Sequence, residues 1–282
     1  MKKQLVLAVS GLAVVTILFI FGRTVEKKSA TPVAMTQASV PAFNILQYIS
    51  TAKQKLTPSQ AIMVGKLENS VTRGDVLAQQ INANNQLGAF WKDSGRVFEP
   101  YAYYISEAAK LDKSEKNLTF AARLFLGYLR HEPDNGKREW MADEAIKLFE
   151  KAIAQNPADV QLKVDQGACY IYGYAVMGKA DKAMSGILML KDIADKDTAN
   201  LEAQLLVGIG GVISGQYDKA VNRLSKVVAK EPGNTEAISW LADAYAGSGN
   251  RTEAVKWYTI SKKLINNPEY SKEVDDRIRD LK

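Results

Sequence analysis

The distribution of apolar residues divides the chain into three stretches. Residues 5–22 (LVLAVSGLAVVTILFIFG) form an 18-residue run without a single charge. Residues 24–42 (TVEKKSATPVAMTQASVPA) are small and polar with two prolines and no apolar periodicity, which reads as a linker. From residue 43 onward apolar positions recur every three or four residues, the spacing of helices with one buried face. Residues 58–110 follow this pattern, with Thr57 and Pro58 placed as cap and first residue of a helix. At the far end, Val274, Ile278 and Leu281 share one face of an otherwise charged segment. That is the pattern of a helix shielding the end of a helical stack.

Within the periodic stretch the chain repeats itself. The windows WMADEA (140–145), GKADKA (178–183), GQYDKA (215–220) and GNRTEA (249–254) align. Their alanines Ala145, Ala183, Ala220 and Ala254 are 38, 37 and 34 residues apart. Gly178, Gly215 and Gly249 suit the left-handed conformation that ends a helix. Asp143, Asp181, Asp218 and Thr252 are expected to cap the helix that follows. Each alanine permits close approach of two helices. Four residues later stand the large apolar Phe149, Ile187, Leu224 and Tyr258 on the same face. Pro157 and Pro232 end helices, and Pro268 follows in the last unit. Four extra residues precede Gly178, consistent with one added turn. Residues 130–139 read as an inserted loop.

These phased signals resemble the tetratricopeptide repeat family. Gly208, Gly215, Ala220 and Pro232 carry the resemblance in one unit, and Leu241, Ala242, Tyr245, Gly249, Ala254 and Tyr258 in the next. The resemblance implies an all-α, right-handed solenoid of helix pairs; the apolar run adds a transmembrane helix before it, and the final amphipathic segment a cap helix after it. The expected division is a signal anchor (1–23), a linker (24–42) and a helical region with a degenerate repeat (43–117). Repeats follow at 118–157, 158–197, 199–234 and 235–268, then a cap helix (269–282). The resemblance further implies a concave groove lined by the first helix of each pair. Its positions here are Gln161, Val164, Ala168 and Ile171; Glu202, Leu205, Ile209 and Val212; and Glu236, Ser239, Asp243 and Ala246. None is Lys or Arg, so a clamp for acidic peptide termini is not expected. The apolar members can equally be core, and both readings stand at this stage.

Charge and composition narrow the chemistry. The net charge is +6, but residues 1–28 hold +4 of it, through Lys2, Lys3, Arg23, Lys27 and Lys28 against Glu26. The basic character therefore brackets the apolar run and does not point to nucleic acid. At 1.5 Å per residue the run reaches about 27 Å, enough for a thin hydrocarbon core. Bulky and charged residues close after it argue against a cleavage site. One Cys (Cys169) and one His (His131) leave no internal disulfide and no Cys/His zinc site. No nucleotide-binding or metalloprotease motif is present, and neither cofactor nor catalytic residue is expected. Cys169 reads as a buried small residue, and Tyr170, Tyr172 and Tyr174 as packing residues. The expected protein is a non-enzymatic adaptor held in a bilayer by residues 5–22. Its repeats are expected in the bacterial periplasm and bind a protein or peptide. The alternative places them on the cytoplasmic face of the same membrane.

Overall fold

The computed structural model describes residues 43–73 and 76–281. The apolar run and the linker lie outside the described residues. No helix among the described residues is long and apolar enough to cross a membrane.

The described chain consists of thirteen α-helices and contains no strand. They are α1 (Ile45–Lys53), α2 (Pro58–Arg73), α3 (Leu77–Phe90), α4 (Phe98–Asp112), α5 (Glu115–Leu129), α6 (Asn135–Gln155) and α7 (Val160–Gly173). The remainder are α8 (Ala180–Lys196), α9 (Leu201–Ile213), α10 (Tyr217–Lys230), α11 (Thr235–Gly247), α12 (Arg251–Ile265) and α13 (Pro268–Asp280). Pairs α5/α6, α7/α8, α9/α10 and α11/α12 pack side by side, and each second helix packs on the first of the next pair. The first helices also touch one another in sequence, α5 to α7, α7 to α9 and α9 to α11. The result is an all-helical solenoid of helix pairs with an inner row of first helices.

Local chemistry explains the joints. Asp159, Asn200 and Asn234 cap α7, α9 and α11 through side-chain oxygens that accept backbone N–H groups of the first turn. Gly178, Gly215 and Gly249 sit at φ of 72°, 75° and 81°, a region where a Cβ is disfavoured. The N–H after each glycine reaches back to the preceding helix: Lys179 to Tyr174 O, Gln216 to Gly211 O and Asn250 to Tyr245 O. This closes the helix end in the six-to-one pattern.

That closure corrects the expected caps. The chain re-enters a helix directly after the glycine, so α8, α10 and α12 are preceded by Lys179, Gln216 and Asn250. Asp181, Asp218 and Thr252 fall inside the first turn. There the two aspartates complement the helix dipole instead of capping. Asp143 lies in the middle of α6, where it accepts a hydrogen bond from the Tyr174 hydroxyl. The expected loop at 130–139 is also shorter. Asp134 accepts from Lys137 N at 2.8 Å and starts α6 at Asn135. The Asn135-Gly136 pair is helical, not a turn. The added residues before Gly178 form a 3₁₀ turn, Ala175–Met177.

A continuous core runs from Ala102 to Ala244. Ala145, Ala183, Ala220 and Ala254 are at most 1% exposed, and Phe149 and Leu224 are fully buried beside them. A Cβ on Gly208 would fall 2.7 Å from the Leu224 side chain, so α9 and α10 meet where neither has room for more. Val274 is buried at the last joint, with Ile278 and Leu281 packed beside it, so α13 covers the open end of α12. The first helices, α1 to α4, gather around a separate aromatic cluster that includes Ile49, Leu87, Phe90, Trp91 and Tyr104.

Candidate partner-binding face

The inner row of helices divides the twelve expected groove positions by polarity. Val164, Ala168, Ile171 and Ile209 have no exposed surface, and Leu205 keeps 7%. These belong to the core, because each first helix is flanked by neighbours on both sides. The apolar groove expected from Leu205, Ile209 and Val212 is therefore not an open surface. Val212 and Ala246 are half-buried. The polar positions Gln161, Glu202, Glu236, Ser239 and Asp243 remain partly or wholly accessible.

Those polar residues are joined by partners absent from the sequence expectation. Gln161 Nε2 donates to Asp165 Oδ1 and to Glu202 Oε2, both at 2.8 Å. Arg123 Nε donates to Asp165 Oδ2 at 2.6 Å. Arg130, just past the end of α5, lies 3.6 Å from a Glu202 oxygen and 3.4 Å from a Glu236 oxygen. Its guanidinium also stands 4.8 Å over the Tyr172 ring, in cation–π range. Tyr172 in turn donates its hydroxyl to Glu236 at 2.7 Å. Burial, reinforced by Glu236, pushes that hydroxyl well above the usual phenol range, so it stays a donor. Glu202 and Glu236 both occupy first turns of their helices, where the dipole favours a carboxylate.

Nearer the C-terminal end, Ser239 and Tyr270 share a hydrogen bond of 2.8 Å. Asp243 accepts from the Tyr258 hydroxyl and from Arg277, each at 2.5 Å. The turn after α5 faces α11 and α13 across a cleft of about 880 Å³, whose walls include Arg130, His131, Glu236, Ser239, Tyr270 and Glu273. The face thus offers carboxylates, guanidinium groups, hydroxyls and an amide, the equipment of hydrogen-bond and ion-pair recognition.

The arginines were missed because they come from α5 and α13, outside the three units used to place the groove. Arg123 and Arg130 stand seven residues apart on one helix face, and that spacing is the signal that was available. Of the tyrosine trio, Tyr172 and Tyr174 are 4% exposed, and Tyr170 is half-buried against Gly186. Cys169 is fully buried, and burial pushes its thiol up, so it is not poised for reaction.

The tetratricopeptide repeat family model matches residues 212–272, from the end of α9 to the start of α13. That segment matches the family, and the described helices as a whole form an all-helical solenoid of packed helix pairs. Among solved structures, a thermophilic tetratricopeptide protein of Thermus thermophilus is 18% identical, with a TM-score of 0.49 over 71% of this chain and 98% of its own. YrrB, described as a tetratricopeptide protein with an unusual peptide-binding site, is 16% identical with a TM-score of 0.46, covering 74% and 97%. The type IV pilus biogenesis factor PilW is 18% identical with a TM-score of 0.46, covering 71% and 92%. No curated protein matches the chain significantly.

Proposed function

We propose that this protein is a non-enzymatic adaptor that holds a protein or peptide partner on the inner face of its helix stack. The observation that carries the reading is the row of accessible polar side chains running through Gln161, Glu202, Arg130, Glu236 and Ser239. Such a row is contributed by successive helices, the arrangement by which a stack presents one extended surface. Residues 5–22 anchor the protein in a bilayer, and the basic residues before that run keep the amino terminus inside, so the repeats face the periplasm. The cytoplasm-facing layout is the second reading, favoured by the comparable basic charge on the two sides of the run.

Site-specific photo-crosslinking tests the adaptor reading. A photoreactive residue at Gln161 or Ser239 is expected to give the same discrete protein adduct, and one at Lys191, on a second helix, none. Glu236→Lys, a half-exposed change, is expected to abolish the adduct without altering helical content. Adducts of equal yield from all three positions would defeat the reading. A reporter fused after Lys282 separates the two layouts: phosphatase activity supports the periplasm, fluorescence of a folded green reporter the cytoplasm.

A further inference from the structure

The cleft between the turn after α5 and helices α11 and α13 carries an excess of one sign of charge. Its walls hold three carboxylates, Glu236, Glu269 and Glu273, against one guanidinium, Arg130, and no lysine. The groups ion-paired to these are Glu202, Arg277 and, through Arg277, Asp243. Five carboxylates then face two guanidinium groups, an excess of three negative charges with His131 counted as neutral. The +6 of the chain less the +4 of residues 1–28 leaves +2 on residues 29–282. The cleft thus reverses the sign of the domain around it. Carboxylates gathered in one cleft repel each other unless a cation joins them.

The cations already present do not satisfy these acids. Glu236 Oε1 accepts from the Tyr172 hydroxyl, but its Oε2 has among the described residues only Arg130, at 3.4 Å. Glu202 Oε2 accepts from Gln161, and its Oε1 has only Arg130, at 3.6 Å. A charge-assisted N–H···O bond is shorter, about 2.7–2.9 Å. One guanidinium therefore spans two carboxylates and closes on neither. Glu269, exposed in the first turn of α13, has no ion-pair partner among the described residues. Glu273 is tied at 2.7 Å to Arg277, an exposed pair of small worth. An ionised carboxylate only accepts, so what it takes up must donate.

The remaining wall suits the stem of a basic side chain. Trp240, Tyr270 and Ile265 are half-buried along it. The Tyr270 hydroxyl is held by Ser239 at 2.8 Å and Ser261 at 3.0 Å, which fixes its ring on the wall. Lys and Arg lay their methylenes on such surfaces and gain further from aromatic faces. A volume of about 880 Å³ lies in the upper part of the ~300–1,000 Å³ range for drug-sized ligands, room for a short stretch of peptide.

Given the adaptor role of the inner face, on which this rests, we infer that the cleft receives a basic segment of the protein partner, with a Lys or Arg side chain meeting Glu236, Glu269 and Glu273.

Fluorescence anisotropy of the full-length protein in one detergent tests this. The probe is a labelled hexapeptide of alternating Lys and Ala, blocked at both ends, with counterparts that carry Gln or Glu in place of Lys. The Lys peptide is expected to bind with a Kd of about 1 mM or tighter, the Gln peptide at least about tenfold more weakly, and the Glu peptide not at all. The double variant Glu269→Gln, Glu273→Gln changes two exposed residues and is expected to weaken the Lys peptide about tenfold. The control Glu150→Gln, Asp192→Asn removes two exposed carboxylates from α6 and α8 and is expected to leave binding unchanged. Equal binding of the Lys and Gln peptides overturns the inference, as does an equal loss in the two double variants. Tighter binding of the Lys peptide after Lys27→Gln and Lys28→Gln also overturns it, since the chain's own basic segment is then the occupant. Photo-crosslinks from Gln161 and Ser239 together with no Lys-peptide binding at 1 mM overturn this inference alone and leave the adaptor reading standing.

Discussion

The two ends of the described chain achieve burial in different ways. From α9 to α12 the helices meet through small residues at fixed intervals, Gly208 against Leu224 and Gly211 against Ala220, and turn at left-handed glycines. From α1 to α4 aromatic rings fill the joints and border a cavity, and the left-handed residue that closes the turn is Arg96, not a glycine. The first design repeats because each joint poses the same steric problem. The second is made once, around one indole, and leaves a polar group unpaired. Regularity therefore marks joints that repeat one steric solution, and irregularity a joint that is solved only once.

The comparison can be broken by mutation, most severely in the cores. Phe149→Ala is expected to cost about 3–5 kcal/mol and to move the main urea transition followed by circular dichroism. Leu87→Ala, equally buried but in the separate N-terminal cluster, is expected to split off an early phase instead. A single shared transition for both would show that the two regions unfold as one.

Glycines give the next largest contrast. A methyl on Gly173 would overlap that of Ala142 between buried helices, so Gly173→Ala is expected to destabilise by about 1–3 kcal/mol. Gly65, inside α2, has open space around it, so Gly65→Ala is expected to stabilise by about 0.5–1 kcal/mol. The left-handed positions should also differ in sign. Gly215→Ala is expected to cost about 1 kcal/mol, whereas Arg96→Gly is expected to gain about 0.5 kcal/mol by relieving strain. Chemical denaturation of the four variants checks both pairs, and matching signs within either pair would remove the distinction.

The smallest effect is one of pH. Burial, aided by Asp243, pushes the Tyr258 hydroxyl up to about 12. The folded state then keeps a proton that the unfolded chain releases near 10, so this contribution is complete below pH 10 and is lost between pH 10 and about 12. Tyr258→Phe is expected to flatten that part of the stability profile relative to wild type. An unchanged slope would mean that the Asp243 contact does not govern the group.

Much of the stack was legible because its signals are local and periodic. Gly178, Gly215, Gly249, Pro157 and Pro232 act within a turn of where they stand, so the sequence shows the joint directly. The starts of α8, α10 and α12 were misread by two residues, since the chain re-enters a helix directly after the glycine, and only Asn250 of the three observed caps uses its side chain. Asp143 was misread because its role depends on Tyr174, 31 residues away. The inner face was half legible. Gln161, Glu202, Glu236, Ser239 and Asp243 follow from helical phase, but Arg123, Arg130, Tyr172, Tyr270 and Arg277 join them through contacts between helices far apart in sequence. The unpaired Trp91 indole N–H was not legible, because an orphaned donor is a property of packing and not of spacing.

Arg130 has a mechanical consequence. A stack in which each pair touches only its neighbours behaves as a one-dimensional spring, with local joints that add independently. Arg130 reaches Glu236 across 106 residues of sequence and grips Glu202 on the way. Exposed ion pairs of this kind are worth only about 0–1 kcal/mol each, little more than thermal energy. The pin fixes the pitch of the spring while it is engaged and can be withdrawn at small cost. A partner that supplies its own cation to Glu236 would therefore set the extension of the whole stack as well as occupy one place along it.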